Sequence, residues 1–325
     1  MRELIVTYPE WKSDEVSTAV TVAGRTLDEG THQVTFVSTE EVGEELDFLV
    51  PFALLPAMVT ESRLKLPGPI SSRLFSTVQK LQDVFCQWEE EFDFFPPRRV
   101  AVEAEVESKN GNQAQGVACF FSGGVDSFYT LLKNLDEITH LIFVHGVDIP
   151  LSNFPLRMQA SHAAREVARE LGKPLIEVAT NLRSFSDPLV HWGQYHGGAL
   201  ASVGLLFQHL FRKVLIPATF SYADLLPWGS HPLIDPLWST ELTDFEHDGA
   251  EATRVDKAAY ISRHETAMKW LRVTTVSSPS EDASRVRCQF LQARIVPPAV
   301  TRSARIGTRS SPVSTPVAHA CGTRI

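Results

Sequence analysis

Val117-Ala118-Cys119-Phe120-Phe121 runs without a break into Ser122-Gly123-Gly124-Val125-Asp126-Ser127. The first five residues form an apolar run of strand length, and the spacing after the glycines predicts a helix from Asp126 to Asn134. A strand that turns through two glycines into a helix suits a polyphosphate. Gly123 and Gly124 let the backbone turn tightly and approach a ligand with no Cβ in the way. The free N–H groups of the loop and first helical turn then face phosphate oxygens, and the Ser122 and Ser127 hydroxyls add donors. Asp126 repels phosphate directly, so a carboxylate there calls for a Mg²⁺ between the two. A Ser or Asp helix cap after a glycine turn is the plainer account, but it does not require two glycines, two serines and an aspartate in this order. No GK[ST] follows and no GxGxxG is present, which excludes the P-loop NTPase and dinucleotide fingerprints.

Working outward, the same alternation continues. Leu141–His145 is expected as a second strand, Arg157–Leu171 as a helix stopped by Gly172 and Pro174, and Leu175–Ala179 as a third strand. Gly197–Phe211 is expected as a buried apolar helix and Val214–Pro217 as a fourth strand. Strand–helix alternation of this kind builds an α/β fold, a parallel sheet with helices on both faces. Such sheets bind ligands at the carboxyl ends of their strands. His145, Gly146 and Asp148 follow the second strand, and Asn181 and Arg183 the third. His145 reads as acid/base group or structural histidine, Asp148 as ribose ligand or loop cap, and Arg183 as an anion-binding fork or surface ion pair. Gly197 and Gly198 permit close helix packing or bring His196 and a helix N-terminus to the ligand. The long aromatic loop after the fourth strand carries Thr219, Trp228, His231 and Asp235, with Trp228 able to stack a planar ligand or to pack in the core. Arg254 and Lys257 open a further helix, either near phosphate or on a solvated face.

The Ser122–Ser127 segment after its strand resembles the PP-loop signature of the ATP pyrophosphatases. That superfamily includes the GMP, NAD, asparagine and argininosuccinate synthetases, tRNA-thiolation and lysidine enzymes, and 7-cyano-7-deazaguanine synthase. The resemblance covers residues 115–273. It implies a Rossmann-like fold of the adenine nucleotide alpha-hydrolase type. It also implies cleavage of ATP to AMP and pyrophosphate, with an adenylated carboxylate or carbonyl/amide acceptor then attacked by a nitrogen or sulfur nucleophile. ATP and Mg²⁺ are the implied cofactors. Ser122, Gly123, Gly124, Val125, Asp126 and Ser127 match the pyrophosphate loop, with Asp126 as metal ligand and Ser122, Asp126 and Ser127 nearest the chemistry. His145, Gly146, Asp148, Asn181, Arg183 and Gly197 fall where nucleotide contacts are expected. Thr219, Trp228, His231, Asp235 and Lys257 fall where the acceptor is expected. A small-molecule acceptor is favoured over tRNA by the acidity of the chain, and an amine- or sulfur-donating protein and a homodimer are the protein partners this reading allows. Nucleotide binding without turnover, or an inactive chain with a frameshifted C-terminus, is the competing reading. The chain departs from deazaguanine-synthase-like members in lacking a cysteine cluster after the last helix, since Cys288 and Cys321 stand far apart.

The 325 residues carry a net charge of −9, and their ordinary globular composition excludes collagen-like and disulfide-scaffold proteins. Four cysteines without a CxxC argue against a zinc ribbon built by this chain alone. No run reaches the about 18 apolar residues of a membrane span, and the first residues lack a signal-peptide core, so a cytoplasmic protein is expected. Residues 1–108 read as an α+β region, a substrate-specific cap or dimerisation unit, with an amphipathic helix at about 70–90 and a half-buried strand at Arg99–Val106. Residues 109–273 read as the ATP-binding domain. Residues 274–325 hold seven arginines, no lysine and two acids. They read as a basic disordered tail, and the abrupt change of composition suggests a shifted reading frame, which an ordinary in-frame ending would refute.

Overall fold

The computed structural model describes residues 3–13, 18–26, 30–88, 90, 96–109 and 114–272. The expectations for the tail, with Cys288 and Cys321, lie outside the described residues. Among those residues no helix is long and apolar enough to cross a membrane.

Eleven strands form one sheet. In the first part of the chain these are β1 (Glu3–Val6), β2 (Glu10–Ser13), β3 (Thr18–Thr26), β4 (Gly30–Ser38), β5 (Arg63–Ser71) and β6 (Val102–Glu107). In the second they are β7 (Gly116–Phe120), β8 (His140–His145), β9 (Leu175–Thr180), β10 (Phe211–Pro217) and β11 (Asp244–Asp248). Their order is β11-β10-β7-β8-β9-β4-β3-β1-β5-β6, with β2 paired to β3. The first five are mutually parallel. The chain runs outward from β7 through β8 to β9, then crosses back to place β10 on the other side of β7. That reversal, between β7 and β10, opens a crevice at their carboxyl ends.

The helices are α1 (Leu49–Val59), α2 (Ser72–Gln87), α3 (Val125–Lys133), α4 (Phe154–Leu171), α5 (Leu182–Ser186), α6 (Trp192–Leu205), α7 (Arg254–Ile261) and α8 (Glu265–Trp270). They cover both faces. On one, residues of α1, α2 and α6 share a core with Ala118, Phe120, Ile142, Ile176, Val214 and Ile216. On the other, α3, α4, α7 and α8 pack on Val117, Cys119, Leu141, Phe143 and Leu215. The alternation along each strand follows from the period-2 geometry of the pleat. The structure is therefore α/β, with a parallel-rich sheet flanked by helices.

Several boundaries move. The amphipathic helix is α2, capped by the Ser71 side chain accepting from Leu74 N, and it buries Leu74, Val78, Leu81 and Phe85. The strand expected at Arg99–Val106 is β6, but it lies at the sheet edge and buries no residue fully. The apolar helix expected from Gly197 begins five residues earlier, at Trp192, with His191 as N-cap. His196 thus sits in its second turn and not at a helix N-terminus. The expected boundary at 108/109 divides regions that share a sheet, because β4 pairs antiparallel with β9 through Phe36 and Thr180. They also share one core, since α1 and α6 residues belong to the same cluster.

Candidate functional site

At the β7–β10 reversal lies an open cleft of about 210 Å³. Ser122 follows β7 and Asp126 sits in the first turn of α3, His145 ends β8 and Asp148 follows it, and Thr219 follows β10. Trp192 and His196 come from α6, Ser230 from the long loop, and Arg272 from the segment after α8.

The Ser122–Ser127 turn is built as its glycines require. Gly123 adopts φ +78°, a left-handed conformation. Gly124 is the N-cap of α3, and no side chain caps that helix. Ser127 Oγ instead donates to Gly124 O at 3.0 Å, and the Ser122 hydroxyl lies 3.4 Å from that of Ser127. Ser122 Oγ accepts from the Gly124 N–H at 3.4 Å, but the N–H groups of the first helical turn lack the N-cap side-chain acceptor that an ordinary capped helix provides.

Three cations surround this turn. Arg254 Nη2 donates to Asp126 Oδ2 at 2.7 Å, and Lys257 Nζ lies 3.4 Å from Asp126 Oδ1. Lys257 also donates to Ala218 O at 2.6 Å, and its side chain is 1% exposed. Burial pushes the Lys257 ammonium below its ordinary value, while Asp126 pulls it back up. Arg272 N donates to Gly123 O, and Arg272 Nη1 to Ser122 O at 2.7 Å. A Cβ on Gly123 would lie 3.3 Å from the Arg272 side chain, which lies over the loop. Burial lowers Arg272 too, against the attraction of Asp148. Among the described residues no group of three His, Cys, Asp or Glu side chains could hold a metal. A single carboxylate beside a glycine turn is a donor set that fits Mg²⁺, which keeps most of its ligands as water and other oxygens.

His145 lines the cleft but is tied down behind it. Its Nε2 meets Glu177 Oε2 at 2.8 Å, and Glu177 also accepts from Ser161 at 2.6 Å and Arg165 at 2.5 Å. Burial alone would raise the Glu177 carboxyl, yet these three hydrogen bonds hold it down at about 2. Gly146, at φ +91°, brings its Cα where a Cβ would lie 1.9 Å from Thr180 O. It serves the close approach of two strand ends.

The remaining expected residues divide. Asn181 does not reach the cleft: its Oδ1 accepts from Thr35 N at 2.8 Å and its Nδ2 donates to Gln33 O at 3.0 Å, pinning β9 to β4. Arg183 binds Asp187 and the Val147 carbonyl and lies over the Trp192 ring, so it braces the wall and does not line it. Gly197 packs on the loop, since a Cβ there would meet Gly229 O at 1.8 Å. Trp228 stands edge-on to Phe220 and against Gly193. His231 stands edge-on to Trp88, and Asp235 is fully buried. Asp235 accepts from Ser230 Oγ at 2.6 Å and pairs with His247 Nδ1 at 2.7 Å, so its contribution to the cleft passes through Ser230. The sequence offered no direct sign of Arg272 or Ser230. Glu177 was detectable as the lone carboxylate of an apolar strand.

No family model, no curated protein and no solved structure matches the chain.

Proposed function

We propose that the chain is an ATP-dependent adenylating enzyme of the PP-loop type, with the adenine nucleotide alpha-hydrolase-like form of the α/β fold. The observation that carries this reading is the placement of the uncapped Ser122–Ser127 turn at the β7–β10 reversal, ringed by Arg254, Lys257 and Arg272. The turn binds the pyrophosphate portion of ATP through its N–H groups and the Ser122 and Ser127 hydroxyls. Lys257 and Arg254 trade part of their pairing with Asp126 for phosphate oxygens, and Arg272 faces the same charge. An oxygen of the acceptor attacks the α-phosphate, the α–β bond breaks, and pyrophosphate leaves with the bonding electrons. Fixed cations in a partly enclosed site stabilise the charge that develops there. Bound Mg²⁺, held by Asp126 and phosphate, would add Lewis-acid stabilisation of the same charge. The acceptor lies toward Trp192, Thr219 and Ser230.

Nucleotide binding without turnover has one observation in its favour: both Asp126 oxygens already face cations. Release of AMP and pyrophosphate from Mg-ATP, measured with a pool of small carboxylate and amide acceptors plus ammonia, separates the two. Acceptor-dependent release of both products supports the enzyme. Binding without release from any acceptor supports the binding protein, and absence of ATP binding refutes both.

A further inference from the structure

Three histidines stand at or just behind the cleft, and their ring nitrogens differ in a way that matters chemically. His145 is fixed through Nε2, and its Nδ1 is buried with no partner. His247 is fixed through Nδ1 by Asp235, and its Nε2 is likewise buried and unpartnered. A nitrogen sealed in protein cannot exchange a proton with a ligand. His196 is arranged differently. Its Nδ1 faces two main-chain carbonyls, Gly193 O at 3.0 Å and Trp192 O at 3.3 Å. Carbonyls only accept, so Nδ1 carries the hydrogen and Nε2 carries the lone pair. No hydrogen bond to Nε2 is found among the described residues, it is not one of the enclosed unpartnered atoms, and the ring lines the cleft. The Trp192 and Trp228 rings flank it at 6.1 and 5.6 Å.

We infer that His196 Nε2 is the proton acceptor for the nitrogen nucleophile of the second half-reaction, an inference that rests on the adenylation reading. Desolvation keeps the ring neutral at rest, while Asp235, behind it in the long loop, and Asp148, after β8, favour the imidazolium once it forms. Arg272 and, over Trp192, Arg183 are the cations on neighbouring elements. The step balances. An ammonium ion gives one proton to Nε2, and the freed lone pair attacks the adenylated carbon. The C–N bond forms, and the C–O bond to AMP breaks with its electrons going to AMP. The new C–NH₃⁺ group then loses a second proton to water.

The test compares ammonium with hydroxylamine, a nitrogen nucleophile that is already unprotonated at neutral pH. His196→Asn keeps an N–H for the Gly193 and Trp192 carbonyls but has no basic nitrogen, and His196→Gln is the second variant should the first not fold. AMP release is measured with each nucleophile across the acceptor pool, alongside ATP affinity. The expected result is an ammonium-dependent rate lower by about a hundredfold or more, with the hydroxylamine-dependent rate and ATP affinity kept. An equal loss with both nucleophiles would make His196 a packing or acceptor-binding residue and overturn the inference, as would no loss with either. Wild-type protein that binds ATP but releases no AMP with either nucleophile would instead sink the adenylation reading, and this inference with it.

Discussion

Asp126→Asn tests the electrostatics of the site before any ligand is added. The substitution keeps the shape of the side chain and removes the charge that faces Lys257. Lys257 is 1% exposed and Asp126 17% exposed in their side chains, so the ammonium would be left with the Ala218 carbonyl and little water. Breaking a buried pair from one side costs about 3 kcal/mol, the lower figure applying because Asp126 is not fully enclosed. Loss of the Arg254 pairing adds little, since that side chain is about half exposed to solvent. The sign of the pH dependence follows. Burial already places the Lys257 ammonium below its ordinary value of 10.5, and losing Asp126 lowers it further. Between the folded value and 10.5 the unfolded chain binds more protons, so stability rises with pH in that window. The window opens at lower pH in the variant, and its deficit relative to wild type shrinks from pH 7 toward pH 10. Urea unfolding at stepped pH measures this. Asp126→Asn/Lys257→Met, which removes both charges, should recover most of the loss and flatten the alkaline slope. A deficit that is constant with pH, or one that persists undiminished in the double variant, would refute the coupling. Under the proposed function, Asp126→Asn also abolishes pyrophosphate release.

Gly197→Ala places a methyl 1.8 Å from Gly229 O and 2.5 Å from its carbonyl carbon. Backbone cannot rotate away, so a loss of about 3 kcal/mol is expected, and an unchanged melting temperature would show that the loop gives way freely. Glu177→Gln removes a carboxyl held at about 2 against an ordinary 4.5. A depressed folded value means that its stabilisation is full above about pH 5 and disappears as pH falls toward 2, so acid unfolding curves of the variant should be flatter across that interval, and a slope identical to wild type counts against the His145–Ser161–Arg165 network. Arg272→Ala should weaken ATP binding by about tenfold, the size of one charge-assisted hydrogen bond, with the melting temperature little changed. Calorimetric titration showing equal affinity would place Arg272 outside the phosphate path.

The part of the fold most legible in sequence was the part whose signals are local. The apolar run ending at Phe121, the paired glycines and the onset of α3 are contiguous, as are the Gly172 stop of α4 and the opening of α7 at Arg254. What was hidden depends on partners distant in the chain. Asn181 carries the same residue type whether it faces a ligand or clasps Thr35, 146 positions away. The start of α6 was hidden because Gly193, Gly197 and Gly198 weaken helix propensity. They are present because the Trp228 ring and the Gly229 and Pro51 backbones approach them closely. β11, with the sequence Asp-Phe-Glu-His-Asp, lacks a strand-like composition and is held by parallel pairing to β10. Arg272 reaches the Ser122 carbonyl across 150 positions, and no spacing rule spans that distance.

The N-terminal region acquires a role from the same long-range contacts. α6 carries Trp192 and His196 into the cleft, and its opposite side rests on α1. Tyr195 Oη donates to Phe52 O at 2.6 Å, Ser202 Oγ to Phe48 O at 2.8 Å, and a Cβ on Gly198 would stand 3.0 Å from Pro51 O. α2 holds the other wall: Thr77 Oγ1 donates to Leu237 O and Arg73 Nη1 to Thr240 O, anchoring the C-terminal side of the turn that contains Asp235. Every residue of α1 is buried, so removing the first 108 residues would bare the back of α6 and the β9 edge together. Tyr195 and His196 are consecutive in one helix, so the hydrogen bond to the Phe52 carbonyl anchors the turn that carries the imidazole. The N-terminal region thus supports the cleft from behind, and the geometry that leaves Nε2 of His196 open depends on residues that never touch a ligand.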